Sequence, residues 1–253
     1  MRDNLNNFNL NGYLVIRNFL NLKNFDKICK NLDLEISEML KEKSISKLGG
    51  YKIGNLNVHP GKYSNQILNE MKMNKFLELI EETTSLSQDD IIISVGGNLC
   101  LPKKYDQNFH TDGNFKQKMI IASIATSDVN INNGPTEIVL DGHDKDLPYW
   151  KFLFQKKRKK KILLKKGDLI IRKHSLWHRG TRNNSDKFRF LMAFTIFDKS
   201  TNIKSNIEDS DQIRIFENFF GNSKIDRFKE LIYLKFNFLY VFYKALLSIR
   251  KNN

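Results

Sequence analysis

Between Ile91 and Phe197 the chain breaks into short β-branched and aromatic runs: Ile91 to Leu101, Met119 to Thr126, Thr136 to Leu140, Ile162 to Arg172 and Phe188 to Phe197. Turn residues separate them, and segments of this length and side-chain type suit strands better than helices. Their succession predicts an antiparallel sandwich or barrel. The flanks read differently. Gly12 to Ile16 is strand-like and leads into Phe25, Ile28, Cys29, Leu32, Ile36, Met39 and Leu40, which recur at helical spacing. A second helix is expected from about Asn65 to Glu82, with Gly49, Gly50 and a His59-Pro60-Gly61 turn marking loops between the two. After Asp198 the chain turns polar and then helical, over Ile213 to Phe220 and over a long apolar stretch from Phe228 to Ile249. At 253 residues and 40% hydrophobic content, a single domain is expected, with an N-terminal strand and helices (1–90), a β core (91–198) and C-terminal helices (199–253).

Chemistry concentrates in the β core. Gln107-Asn108-Phe109-His110-Thr111-Asp112-Gly113 places an imidazole and a carboxylate two residues apart, just beyond a strand. On an extended backbone, residues i and i+2 point the same way. Two such ligands need a distant histidine to complete a facial two-His-one-carboxylate metal site with open positions. His178 is the best placed, 66 residues after Asp112, behind the turn and strand Gly167-Asp168-Leu169-Ile170-Ile171-Arg172. The strand after it carries Arg189, eleven positions beyond His178. His143 reads as a structural cap on its loop, and His59 and His174 as structural or substrate-facing. Trp177 reads as packing, and Cys100 as a small buried hydrophobe.

Several separated segments together resemble the phytanoyl-CoA dioxygenase family of iron and 2-oxoglutarate enzymes. They are Gly12-Tyr13-Leu14-Val15-Ile16-Arg17-Asn18-Phe19-Leu20, the His110/Asp112 motif, Asn133-Gly134-Pro135 with Gly142-His143, and Trp177-His178-Arg179-Gly180 with Asn184-Ser185 and Arg189. The resemblance runs from about Gly12 to Phe197. It implies a mainly β fold with flanking helices around a double-stranded β-helix, a cupin-like jelly-roll. It also implies Fe(II) on His110, Asp112 and His178, with Arg189 gripping the distal carboxylate of 2-oxoglutarate through paired hydrogen bonds. Asn98 lies where related enzymes place an amide that helps hold 2-oxoglutarate. Gly180 stands where many relatives have a small hydroxyl residue, and Thr181 is expected to substitute for it. The intact Asp112 points to hydroxylation with O2 and release of succinate and CO2, and not to halogenation.

Lys and Arg outnumber Asp and Glu by 42 to 28, a formal charge of +14, which favours an anionic partner. Richness in Lys, Asn and Ile is explained equally well by a compositional bias of the coding genome. The expected substrate is a small anionic metabolite or lipid. A nucleic-acid-modifying oxygenase and a non-catalytic binding protein on the same fold are the alternatives. Against nucleic acid, the basic run Lys156-Lys157-Arg158-Lys159-Lys160-Lys161 has no interleaved aromatics and reads as a solvated loop or strand edge. Two cysteines, Cys29 and Cys100, form no disulfide framework, and the N-terminus lacks the pattern of a secretory signal. A cytoplasmic monomer or homodimer is expected. Leu231 to Ile249 is apolar enough to suggest a membrane segment, but Lys235 and Lys244 would each cost about 3 kcal/mol at a bilayer centre. On one continuous helix, those lysines would lie on opposite faces, which speaks against a single-faced anchor. A helix packed on the barrel or a dimer contact is the expectation, with peripheral membrane contact through aromatics and the Arg250-Lys251 end as the alternative.

Overall fold

The computed structural model describes residues 2–84, 86–113, 118–140, 143, 146–216 and 220–250, so Asp141, Gly142 and Lys251 lie outside the described residues. The larger of two antiparallel sheets runs β1 (Tyr13–Ile16), β7 (Leu169–Lys173), β4 (Met119–Ala125), β9 (Arg189–Asp198), β3 (Ile91–Cys100), β2 (Asn55–Pro60) and β10 (Ile213–Phe216). The smaller runs β6 (Lys159–Ile162), β5 (Thr136–Val139) and β8 (His178–Gly180). Ile170 and Leu191 of the first share an apolar cluster with Ile138 and Ile162 of the second, so the sheets face each other. The architecture is the expected jelly-roll, as an open sandwich and not a closed barrel.

Strand pleating assigns each side chain to one of two environments. On β9, Phe190, Met192, Phe194 and Ile196 are buried in the main core, while Leu191, Ala193, Thr195 and Phe197 point to a cavity on the other face. The same alternation separates Ile120, Ala122 and Ile124 from Met119, Ile121 and Ser123 on β4. Behind the sheet pack α2 (Leu22–Met39), α3 (Tyr63–Met73) and α4 (Phe76–Thr84), which contribute Phe25, Leu32, Ile36, Ile67, Met71, Phe76 and Ile80 to that core. A short α1 (Arg2–Asn11) precedes β1, and α5 (Tyr149–Phe154), α6 (Lys224–Lys235) and α7 (Asn237–Arg250) lie at the cavity side.

Several expected elements are divided or replaced. The helix expected over 65–82 is two, parted at Lys75, whose φ of 60° is left-handed. The run 162–172 is the end of β6 and the start of β7, divided by a turn with Gly167 at φ 83°. The long C-terminal stretch breaks at Phe236, which has non-helical dihedrals. Ile213 to Phe220 is not helical where described. Ile213 and Ile215 alternate with Arg214 and Phe216, a period that fits a pleat, and the segment pairs with β2 from Ile213↔Pro60 to Phe216↔Asn57. His59 and Pro60 therefore belong to a strand, and the turn begins at Gly61, whose N–H donates to His59 Nδ1 at 3.1 Å.

Asp168 pins the edge of this sheet. Its carboxylate is fully buried and accepts from Asn18 N at 2.8 Å, Lys165 N at 2.8 Å and Arg17 Nη1 at 2.6 Å. Burial pushes its pKa up, but these donors outweigh burial and hold it below the usual carboxylate range. Asp168→Ala should strand two backbone donors and lower stability by about 2–3 kcal/mol, read by thermal unfolding at neutral pH. Because the folded pKa is depressed, this stabilisation is present above the unfolded-state value and lost as pH falls through the folded one. The gap between wild type and variant should therefore narrow in acid.

Candidate metal centre and cavity

His110 and His178 are tied together through their backbones. His110 N donates to His178 O and His178 N donates to His110 O, both at 2.9 Å. The pairing extends along the segment, with Gln107 N donating to Gly180 O and Asp112 N to His174 O, each at 2.9 Å. A stretch with no strand propensity thus becomes a strand-like edge against β8 and the residues before it. The i, i+2 alternation sets His110 and Asp112 on one side of it.

Ligand atoms of His110, Asp112 and His178 all lie within 4.8 Å of one another. His178 Nε2 is 3.5 Å from Asp112 Oδ2, and His110 Nε2 is 3.9 Å from Asp112 Oδ1. Each imidazole is oriented by its other nitrogen: His110 Nδ1 donates to Asn108 O and His178 Nδ1 to Leu176 O, both at 2.9 Å. A carbonyl can only accept, so Nδ1 carries the proton and Nε2 presents its lone pair to the cluster. Burial pushes the His178 pKa down to about 3, helped by the Arg172 charge. That keeps its ring in the neutral form a metal requires. Burial raises the Asp112 pKa, but Arg172 and the two histidines outweigh it, and the carboxylate stays ionised. Two imidazoles and one carboxylate on one side of a small space are the donor set of a facial metal site.

Arg172 is the neighbour that sequence reading missed. Its Nη2 donates to Asp112 Oδ2 at 2.5 Å, and its Nη1 is buried with no hydrogen-bond partner among the described residues. It lines the cavity beside Ile170, two residues before it on the same face of β7. The signal was available: a charge in phase with the inward positions of a buried strand.

The other expected site residues form a second group. Arg189 is 1% exposed, and donates from Nη1 to Asn98 O at 3.1 Å and Asn98 Oδ1 at 3.2 Å and from Nη2 to Gly134 O at 2.8 Å. Its Nε has no partner, and no carboxylate pairs with it among the described residues. Asn98 lines the cavity, and Arg189 lies on the cavity face of β9 but beyond the cavity wall. Thr181 is buried, and its hydroxyl donates to Pro135 O at 2.7 Å. At Gly180 a Cβ would meet Gln107 Oε1 at 2.8 Å, because that amide oxygen accepts from Gly180 N. His143 Nε2 bonds Asn9 O, His59 Nε2 bonds Asn206 O and His174 Nδ1 bonds Met119 O, so all three brace the backbone. Trp177 stacks on Phe152 with centroids 3.8 Å apart, and Cys100 is buried.

The cavity has a volume of about 940 Å³. The metal cluster forms part of its wall, and Tyr149, Tyr233, Tyr240 and Lys244 enclose it from the helical side. Tyr233 also fixes the ligand loop, because Asn108 N donates to its hydroxyl at 2.6 Å.

The family described as phytanoyl-CoA dioxygenase matches residues 8–191. No curated protein sequence matches the chain. Among solved structures, the epimerase SnoN from nogalamycin biosynthesis, in complex with Fe3+, alpha-ketoglutarate and nogalamycin RO, is 16% identical with a TM-score of 0.57, covering 78% of this chain and 83% of its own. HygX from Streptomyces hygroscopicus, with nickel and 2-oxoglutarate bound, is 12% identical with a TM-score of 0.58, covering 78% and 87%. The carbocyclase SnoK, also from nogalamycin biosynthesis, is 12% identical with a TM-score of 0.57, covering 78% and 84%. At these identities the likeness speaks for the fold.

Calorimetric titration with Co(II) or Ni(II) under neutral conditions should reveal one site. His110→Ala and His178→Ala should each weaken it by more than the roughly 100-fold that loss of an outer-shell partner costs. Retention of wild-type affinity by both variants would remove the cluster from consideration.

Proposed function

The chain belongs to the phytanoyl-CoA dioxygenase family, and on that premise we propose that it is an Fe(II)- and 2-oxoglutarate-dependent oxygenase that hydroxylates a small anionic metabolite or lipid. The observation that carries this reading is the convergence of His110, Asp112 and His178, with both histidines presenting Nε2. These three residues hold the iron, and Arg189 with Asn98 holds 2-oxoglutarate. A buried guanidinium bonded to neutral oxygens and a thiol has a charge deficit that a carboxylate relieves. When bound, the metal and co-substrate supply O2 activation, consuming 2-oxoglutarate to succinate and CO2 as the substrate is oxidised.

The protein's own contribution is orientation and enclosure. Asn108 O and Leu176 O aim the imidazoles, and Arg172 holds one Asp112 oxygen, which would leave the other for the metal. The second guanidinium nitrogen of Arg172, buried at the cavity wall, is suited to an anionic group on the substrate. Tyr149, Tyr233 and Tyr240 limit the water that reaches the cavity. HygX supports the co-substrate assignment through its bound nickel and 2-oxoglutarate, and SnoN and SnoK show that the fold also hosts epimerisation and ring closure.

Succinate release from 2-oxoglutarate, followed after anaerobic purification and addition of Fe(II) and O2, tests this. Wild type should turn over slowly without substrate, and His110→Ala should not exceed the protein-free background. Equal succinate from wild type and His110→Ala would sink the proposal. Arg189→Met should raise the KM for 2-oxoglutarate by about 10- to 100-fold, the worth of a charge-assisted bond, while Co(II) affinity stays unchanged.

A further inference from the structure

Helix α7 is amphipathic in the reverse sense. At 100° per residue, Phe238, Leu239, Phe242, Tyr243, Leu246, Leu247 and Ile249 fall on one half of the helix, and all seven are exposed, Phe238 by 70% and Phe242 by 62%. The other half carries Tyr240, Lys244 and Ser248, which line the cavity. Lys244 therefore points away from the apolar half. Lys235 belongs to α6, on the far side of the break at Phe236, so neither lysine interrupts the exposed face. Helix α6 adds further exposed apolar side chains, Ile225, Phe228 and Leu231, 67%, 61% and 41% exposed. Helix α5 adds Phe154, 85% exposed, and α5 meets α7 where Trp150 N donates to Ser248 Oγ at 3.1 Å.

Basic residues flank these segments in the sequence. Lys224 and Lys235 stand exposed at the two ends of α6, and the run 156–161 begins two residues after Phe154. Among the described residues no single helix is long and apolar enough to cross a membrane, and α6 and α7 pass together only across a 118° bend. An apolar face of this size needs a cover. A second copy of a chain with a formal charge of +14 would bring like charges together. An anionic lipid surface complements both the apolar face and these basic residues.

We propose that α5, α6 and α7 form a docking face for an anionic bilayer, with the outer half of α7 seated among the acyl chains and the lysines of α6 and 156–161 on the headgroups. Docking needs neither iron nor 2-oxoglutarate, so it stands or falls separately from the oxygenase reading.

Flotation of the full-length chain tests it, with vesicles of phosphatidylcholine alone and of phosphatidylcholine with roughly a third phosphatidylglycerol. Wild type should float with the anionic vesicles, and about 10-fold more weakly with the neutral ones or in high salt. A Phe238→Ser, Phe242→Ser, Leu246→Ser variant should lose at least about 10-fold in binding while keeping Co(II) affinity, which shows that it is folded. Lys156→Ser with Lys161→Ser should weaken binding to anionic vesicles alone. The proposal is overturned if wild type floats with neither vesicle, or if the triple variant floats as well as wild type. A stable dimer by light scattering that the triple variant dissociates, without vesicle binding, would give the face to a second copy and overturn it equally.

Discussion

The site depends on the reciprocal pair of backbone hydrogen bonds between His110 and His178. Two residues 68 positions apart in sequence are brought to neighbouring registers by bonds that carry no side-chain information. Once that register is set, the rest follows from backbone geometry: Asp112 falls on the His110 side, and Asp112 N finds His174 O. Each ring meets the carbonyl two residues before it, so the tautomers are chosen locally. A slip of one residue would turn both His110 and Asp112 away from the cluster. Such sensitivity favours a rigid support, and the loop has one in Tyr233, whose hydroxyl receives Asn108 N.

That edge is held over a sheet that serves two environments at once. The pleat sends alternate residues of β4, β7 and β9 to the helix-covered core and to the cavity. The core positions are uniformly apolar. The cavity positions include Ser123, Thr195 and Arg172, residues that no core would tolerate without partners. One strand thus supplies both the packing that makes the sheet stiff and the groups that face a ligand, with no loop needed between the two tasks.

Much of this was legible in the sequence, and the failures have definite causes. The convergence of His110, Asp112 and His178 could be read because their chemistry and spacing leave few other arrangements, while Arg189 was singled out by the resemblance of its motif. The β core was legible from its punctuation. Arg172 was missed because Ile170-Ile171-Arg172-Lys173 ends in two charges, which looks like a strand running out into solvent. Its pairing with Ile121 sets it well inside the sheet, in phase with Ile170. The Ile213–Phe216 strand is too short to declare itself, and it forms because β2 offers an edge to pair with. The face exposed by α7 was misread for a sharper reason. Phase along a helix is meaningful only if the helix is continuous, and one non-helical residue, Phe236, resets it between Lys235 and Lys244.

Composition alone could not separate selection for anionic ligands from a genomic bias toward lysine codons, because surface lysines cost a fold almost nothing. Buried guanidiniums are different. Removing an ion from water carries a penalty of several kcal/mol even after relaxation, and mutational drift does not sustain such a penalty without compensation. Arg189 is 1% exposed, with hydrogen bonds to neutral oxygens and to the Cys100 thiol, and Arg172 has one nitrogen on Asp112 and another with no partner among the described residues. Their incomplete satisfaction by the protein itself is the part of the positive charge that composition cannot explain. Arg172 places that demand at the cavity wall and Arg189 places it in the interior just beyond, independently of how many lysines the surface carries.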